Sequence, residues 1–205
     1  MNTANPTLSN AARAGILLIL ALVMLATRIN HFGALPDASW AVFFIAGFYL
    51  RGSARWAFPL LMALAVLIDF FVITGQGISF WSHYCVSPAY WFLVPSYAVL
   101  WIGGSLLRNR YAGLHVRELG LLMVSAVVAT SVCYLISNGS FYWISANVPV
   151  HGFAGWMENL GNWYVPYLRT TLTYVGTAAA LHVLAVHALR WLPVQAGHAA
   201  HHSNR

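Results

Sequence analysis

Lysine is missing from this chain and carboxylates are nearly so: 10 basic residues, all arginine, stand against 4 Asp and Glu among 205 residues. With 7% charged and 60% hydrophobic residues, the chain cannot assemble a water-facing surface, which excludes a soluble protein. The arginines are scattered through short connections and form no patch, which excludes nucleic acid as a partner. No G-x-S-x-G, H-E-x-x-H or nucleotide-binding motif occurs, so neither a familiar hydrolase site nor a built-in ATPase is present. No internal repeat is found, and the one biased segment is a His-rich tail, His198 to His202, expected to be disordered.

What remains is apolar, with a mean hydropathy of +0.69. At roughly 20 residues per span, the length accommodates about six membrane helices with short loops and no separate soluble domain. The apolar runs are 14–27, 38–50, 56–74, 88–107, 119–136 and 167–192, with a tail over 193–205. The first run follows Arg13 but ends in no good small-x-small cleavage site, so it reads as a retained helix and not as a signal peptide. The expected architecture is a single all-α transmembrane domain of six helices. Arg13, Arg51, Arg55, Arg108, Arg110, Arg117, Arg190 and Arg205 then lie on one side, and only Arg28 and Arg169 on the other. By the positive-inside rule both termini are cytoplasmic, and the loops after the odd-numbered helices face outward.

The first two runs are short. About 14 apolar residues make a helix of ~21 Å, against a hydrocarbon core of ~30 Å. Polar backbone at that depth survives only against protein or a water-filled cavity, so an outward-open hollow is expected beside helices 1 and 2. Asp37 is placed to cap the start of helix 2, and Trp40 to sit at the interface. Asp69, in VLIDFFVI, is the one acidic residue inside an apolar run and requires a partner at that depth. Arg28 and Arg169 lie at similar expected depth. The pair either ties helices together or forms part of a cavity wall.

Between helices 3 and 4 runs GQGISFWSHYCVSPAY, Gly75 to Tyr90, with His83 and Cys85 among aromatic residues. Cys85 has three readings: a buried cysteine like Cys133, a disulfide partner of Cys133, or a thiolate ligand to a soft or borderline metal. His83-x-Cys85 offers at most two ligands, short of the three or four of a protein-built zinc site. A metal already held in a macrocycle needs only one axial ligand, which fits a haem or a corrinoid. Trp81, Trp143, Trp156, Trp163 and Tyr164 can offer flat surface to such a ring, although most fit an interfacial aromatic belt.

The helix count, the outward cysteine loop and the motif CVSPAY, Cys85 to Tyr90, resemble the cobalamin-specific solitary S-components of energy-coupling-factor (ECF) transporters, the BtuM family. The resemblance implies uptake of vitamin B12 across the bacterial inner membrane through an outward-facing pocket. It implies Cys85 as axial ligand to cobalt and promoter of cyanide loss from cyanocobalamin. It also implies Asp69, Tyr90, His31 and Arg169 as further pocket residues; His83 and Arg28 join them by position. S-components that dock on a shared energy-coupling module, a transmembrane component plus ATPases, tend to carry Ala-x-x-x-Ala on helix 1, whereas members of this family often work apart from a dedicated module. Here only the small-residue spacing Ala11 to Gly15 is offered. The competing reading is a haem- or metal-binding membrane subunit of an electron-transfer complex that uses His182 and His187. The five-residue spacing of these two does not put them on one narrow helix face.

Overall fold

The structure, a computed structural model, describes residues 8–29, 35–83 and 86–191. Its elements are α1 (Asn10–Arg28), α2 (Ser39–Leu50), α3 (Ala54–Gly75), α4 (Leu93–Arg110), α5 (Val116–Ile144) and α6 (Phe153–Trp191). Short 3-10 turns occupy Arg51–Ser53, Phe80–Ser82 and Pro88–Phe92, and no strand occurs among the described residues. Five helical stretches are long and apolar enough to cross a membrane: Asn10–Arg28, Ser39–Gly75, Pro88–Arg110, Val116–Ile144 and Phe153–Ala188. The second holds both α2 and α3.

One guanidinium shows how that stretch folds. Arg28 reaches Ser39, the first residue of α2, and Asp69, near the end of α3, so the chain turns back at Arg51–Ser53 and the two helices run antiparallel. Connections at the other ends are equally direct. Tyr142 near the end of α5 donates to the Gly152 carbonyl at 3.0 Å, just before α6 begins. Tyr174 of α6 donates to the Pro36 carbonyl at 2.8 Å, and further on His182 lies between Tyr49 at the end of α2 and Tyr111 after α4. The helices therefore alternate in direction. One end of the bundle gathers the start of α1, the 51–53 turn, the 111–115 loop and the late part of α6. The other gathers the end of α1, the start of α2, residues 75–83 and 86–92, and the α5–α6 connection.

α2 is the centre. SWAVFFIAGFYL is apolar around its whole circumference, and Val42, Phe43, Phe44, Ala46 and Leu50 are all buried, as expected of a helix with neighbours on every side. Gly47 and Gly104 set its distance from α4. A methyl group on Gly47 would run into the Trp101 backbone, and one on Gly104 into the Phe44 carbonyl. Such small-residue contacts let membrane helices approach closely. Two serines follow the same seams: Ser105 donates to the Gly47 carbonyl at 3.0 Å, and Ser125 of α5 to the Gly103 carbonyl at 2.9 Å.

α5 and α6 exceed their sequence-based bounds. α6 begins at Phe153, not 167, and continues through Pro166. Proline is tolerated in a membrane helix whose neighbours hold it in place. Here Tyr164 hydrogen-bonds Ser131 at 2.7 Å, and the Tyr167 ring stacks on Trp40 with centroids 4.8 Å apart. α5 runs through Ser137-Asn138-Gly139-Ser140 to Ile144, with Asn138 donating to Asn159 of α6 at 3.1 Å. Trp40, at the start of α2, is 8% exposed, because α6 covers it.

Candidate functional site

Unequal helix lengths create a hollow. α2 has 12 residues, about 18 Å, whereas α5 has 29, about 44 Å. At the end where α1 stops and α2 starts, the longer helices continue and leave a recess of ≈ 210 Å³. Arg28, Asp37 and Trp40 line it from the α1–α2 side, Asp69 from α3, and Gln76, His83 and Tyr90 from the segment that follows. Ser137 and Phe141 of α5 and Tyr167 of α6 complete the lining. The hollow expected beside helices 1 and 2 lies there, but α1 extends to 19 residues, beyond its apolar run, so α2 alone is short.

Its polar groups form one network around Arg28, which is only 7% exposed. The guanidinium grips Asp69 in a bidentate fork, with Nε to Oδ1 and Nη2 to Oδ2 both at 2.6 Å. Nη1 donates to Asp37 Oδ2 at 3.0 Å, Ser39 Oγ at 3.0 Å and the Tyr97 hydroxyl at 3.1 Å. Tyr90 adds a hydrogen bond to Asp69 Oδ2 at 2.7 Å. Asp37 caps as well as pairs, since its Oδ1 accepts from the Ser39 N–H at 2.9 Å and from the Ser39 hydroxyl at 2.6 Å. Two carboxylates thus face one guanidinium, and the planar fork fixes Asp69 in orientation as well as charge. Both carboxylates keep about a fifth of their side-chain surface exposed, 18% for Asp37 and 19% for Asp69.

Of the expected site residues, Arg28, Asp69, His83 and Tyr90 meet in this recess. Arg169 does not: it is exposed on α6, and Asp69 takes Arg28 as its partner. His31 and Cys85 lie outside the described residues, as does the His-rich tail. The chain on either side of residues 84 and 85 is tied together, Val86 N–H donating to the His83 carbonyl at 2.9 Å. Cys133 is a free thiol, wholly buried in α5. Among the described residues no group of three or more His, Cys, Asp or Glu side chains is arranged to hold a metal ion.

Asp37 and Tyr97 belong to the network but were not among the expected site residues. Asp37 carries a signal in its position just before the short α2, where sequence alone indicates only capping. Tyr97 carries none, since a tyrosine in the first turns of a membrane helix is commonplace. The histidine of the competing reading is otherwise engaged. His182 has both ring nitrogens in hydrogen bonds, Nδ1 with the Tyr49 hydroxyl at 2.7 Å and Nε2 with that of Tyr111 at 2.9 Å. No protein-family model matches the chain, and no curated protein matches it significantly.

Proposed function

We propose that this protein is a membrane-embedded uptake component that captures cobalamin or a related corrinoid at the recess, with Cys85 as axial ligand to cobalt. The observation that carries the reading is the Arg28–Asp69–Asp37 network, open to a recess lined by His83, two residues along the chain from Cys85. A corrin ring is edged with carboxamides, whose N–H groups suit the carboxylate-rich floor and whose carbonyls suit donors on the wall. A cavity of about 150 Å³ holds benzene, so ≈ 210 Å³ takes one edge of a corrin. The macrocycle then lies across the mouth, where a thiolate from the 83–90 segment meets its metal.

Cyanide release is a ligand exchange without redox change. The Cys85 sulfur donates an electron pair to Co(III), the Co–C bond breaks with its pair on cyanide, and the thiol proton leaves as HCN. Only the thiolate attacks, so the reaction depends on its fraction at working pH. The arginine bias supports an outward recess with both termini cytoplasmic and α2 as a sixth, short crossing, and the family resemblance supports a bacterial inner membrane. Release is powered either by the protein toppling in the membrane alone or by a separate ECF-type module of a transmembrane component and ATPases. Gly15 of the Ala11 to Gly15 spacing meets nothing within 4 Å and leaves that face of α1 open to it. The electron-transfer alternative is weaker, because a haem ligand at His182 must first give up the tyrosine hydrogen bond at its ligating nitrogen.

The test is the visible spectrum of protein purified from cells supplied with cyanocobalamin, beside the Cys85→Ala variant. A co-purifying corrinoid with bands displaced from those of cyanocobalamin, reverting in the variant, is the expected result. Colourless protein, or a Soret band, overturns the reading.

A further inference from the structure

The end of the bundle opposite the recess holds a second, larger cavity of ≈ 340 Å³, which the corrinoid reading does not use. Phe44 and Phe48 of α2, Leu122 of α5 and the small Ala178 and Ala179 of α6 leave it apolar on three sides. Into this lining α5 brings Glu118, 94% buried by its 6% exposure, with Oε2 sealed from solvent and without a hydrogen-bond partner. A glutamate in the first turn of a helix complements the helix dipole, which accounts for its presence in the sequence. It does not account for the bare oxygen, since buried polar atoms are nearly always paired. The ion pairs among the described residues all involve Arg28, at the far end of the bundle.

The missing partner must bring a donor and must itself be largely apolar. A metal ion is a poor fit, because hard cations require several oxygen ligands and Glu118 supplies one carboxylate. A bare acyl chain matches the walls and leaves Oε2 unpaired. We propose that this cavity binds a small hydrophobic amine, its ammonium on Glu118 and its hydrocarbon body between Phe48 and the alanines of α6. A cavity of about 150 Å³ holds benzene, so the ≈ 340 Å³ here takes a molecule roughly twice that size. Tyr49 and Tyr111 hold both ring nitrogens of His182 at the cavity wall, so that ring does not compete for Glu118; His115, in the same lining, is the other polar side chain within the cavity. The same ammonium can be carried by a free amine or by a phosphatidylethanolamine headgroup.

The experiment uses the full chain in phosphatidylcholine nanodiscs, with empty nanodiscs subtracting partition into lipid. Equilibrium dialysis compares phenylbutylamine with butylbenzene and phenylbutyrate. The amine is expected to bind saturably and about ten-fold tighter than the hydrocarbon, the carboxylate weakest, and Glu118→Gln to remove the preference. Ala179→Phe fills the cavity and is expected to abolish binding of all three. Equal binding of amine and hydrocarbon, unchanged amine affinity in Glu118→Gln, or binding that survives Ala179→Phe overturns the proposal. Phosphatidylethanolamine added to the nanodiscs competes if the lipid is the natural source; lack of competition assigns the site to a soluble amine. The outcome is independent of the corrinoid spectrum, since the two cavities share no residue.

Discussion

At the scale of the residue, Arg28 decides most. A guanidinium buried this deeply is tolerated because two carboxylates, two hydroxyls and a fixed fork surround it. Asp69→Asn removes one compensating charge and turns the fork into a weaker contact. The expected loss is about 3 kcal/mol in detergent-solubilised protein unfolded by denaturant, because it leaves buried charge underpaired. Tyr90→Phe deletes a single hydrogen bond to the same carboxylate and should cost about 1 kcal/mol. Equal losses for the two variants would mean that charge pairing contributes little there. Asp69 was legible in the sequence because a lone carboxylate in VLIDFFVI has no local excuse. Its choice of Arg28 over Arg169 was not, since both arginines stood at similar expected depth.

At the scale of the element, the bundle is set by where helices touch without side chains between them. Gly47→Ala and Gly104→Ala each drive a methyl into the facing backbone of α4 or α2, which cannot yield as a flexible side chain can. Each is expected to destabilise by about 2 kcal/mol, seen as a lowered thermal midpoint. Gly120→Ala is the control. It lies in α5 with nothing within 4 Å, so the change should be neutral or stabilising by about 0.5 kcal/mol through helix propensity. Losses of similar size at all three positions would refute close packing as the cause. Helices 1 to 5 were readable from apolar runs. The first half of α6 was not, because GNWYVP looks like a break, and it is helical through contacts to Trp40 and Ser131.

At the scale of the whole molecule, alternating helices sort the connections into two ends, and the arginine bias predicts which of them faces the cytoplasm. Single cysteines at Gly77 and Asn147 in a Cys85→Ala background should react with a membrane-impermeant maleimide added outside intact cells. One at Gly113 should react only after the cells are opened. The reverse pattern would invert the topology and move the recess to the cytoplasmic face, removing it as an uptake site.

The sequence by itself determined the helical membrane class, most of the helix positions and the end at which a recess must form. These depend on hydropathy and length, which accumulate locally along the chain. Tertiary structure alone decided that Arg28 joins Asp37 and Asp69, that His182 is held between Tyr49 and Tyr111, and that Glu118 closes a second cavity with a bare oxygen. Each of these depends on which helix faces which. Arg28 and Asp69 are 41 residues apart in the chain, and only packing around α2 brings them within 2.6 Å.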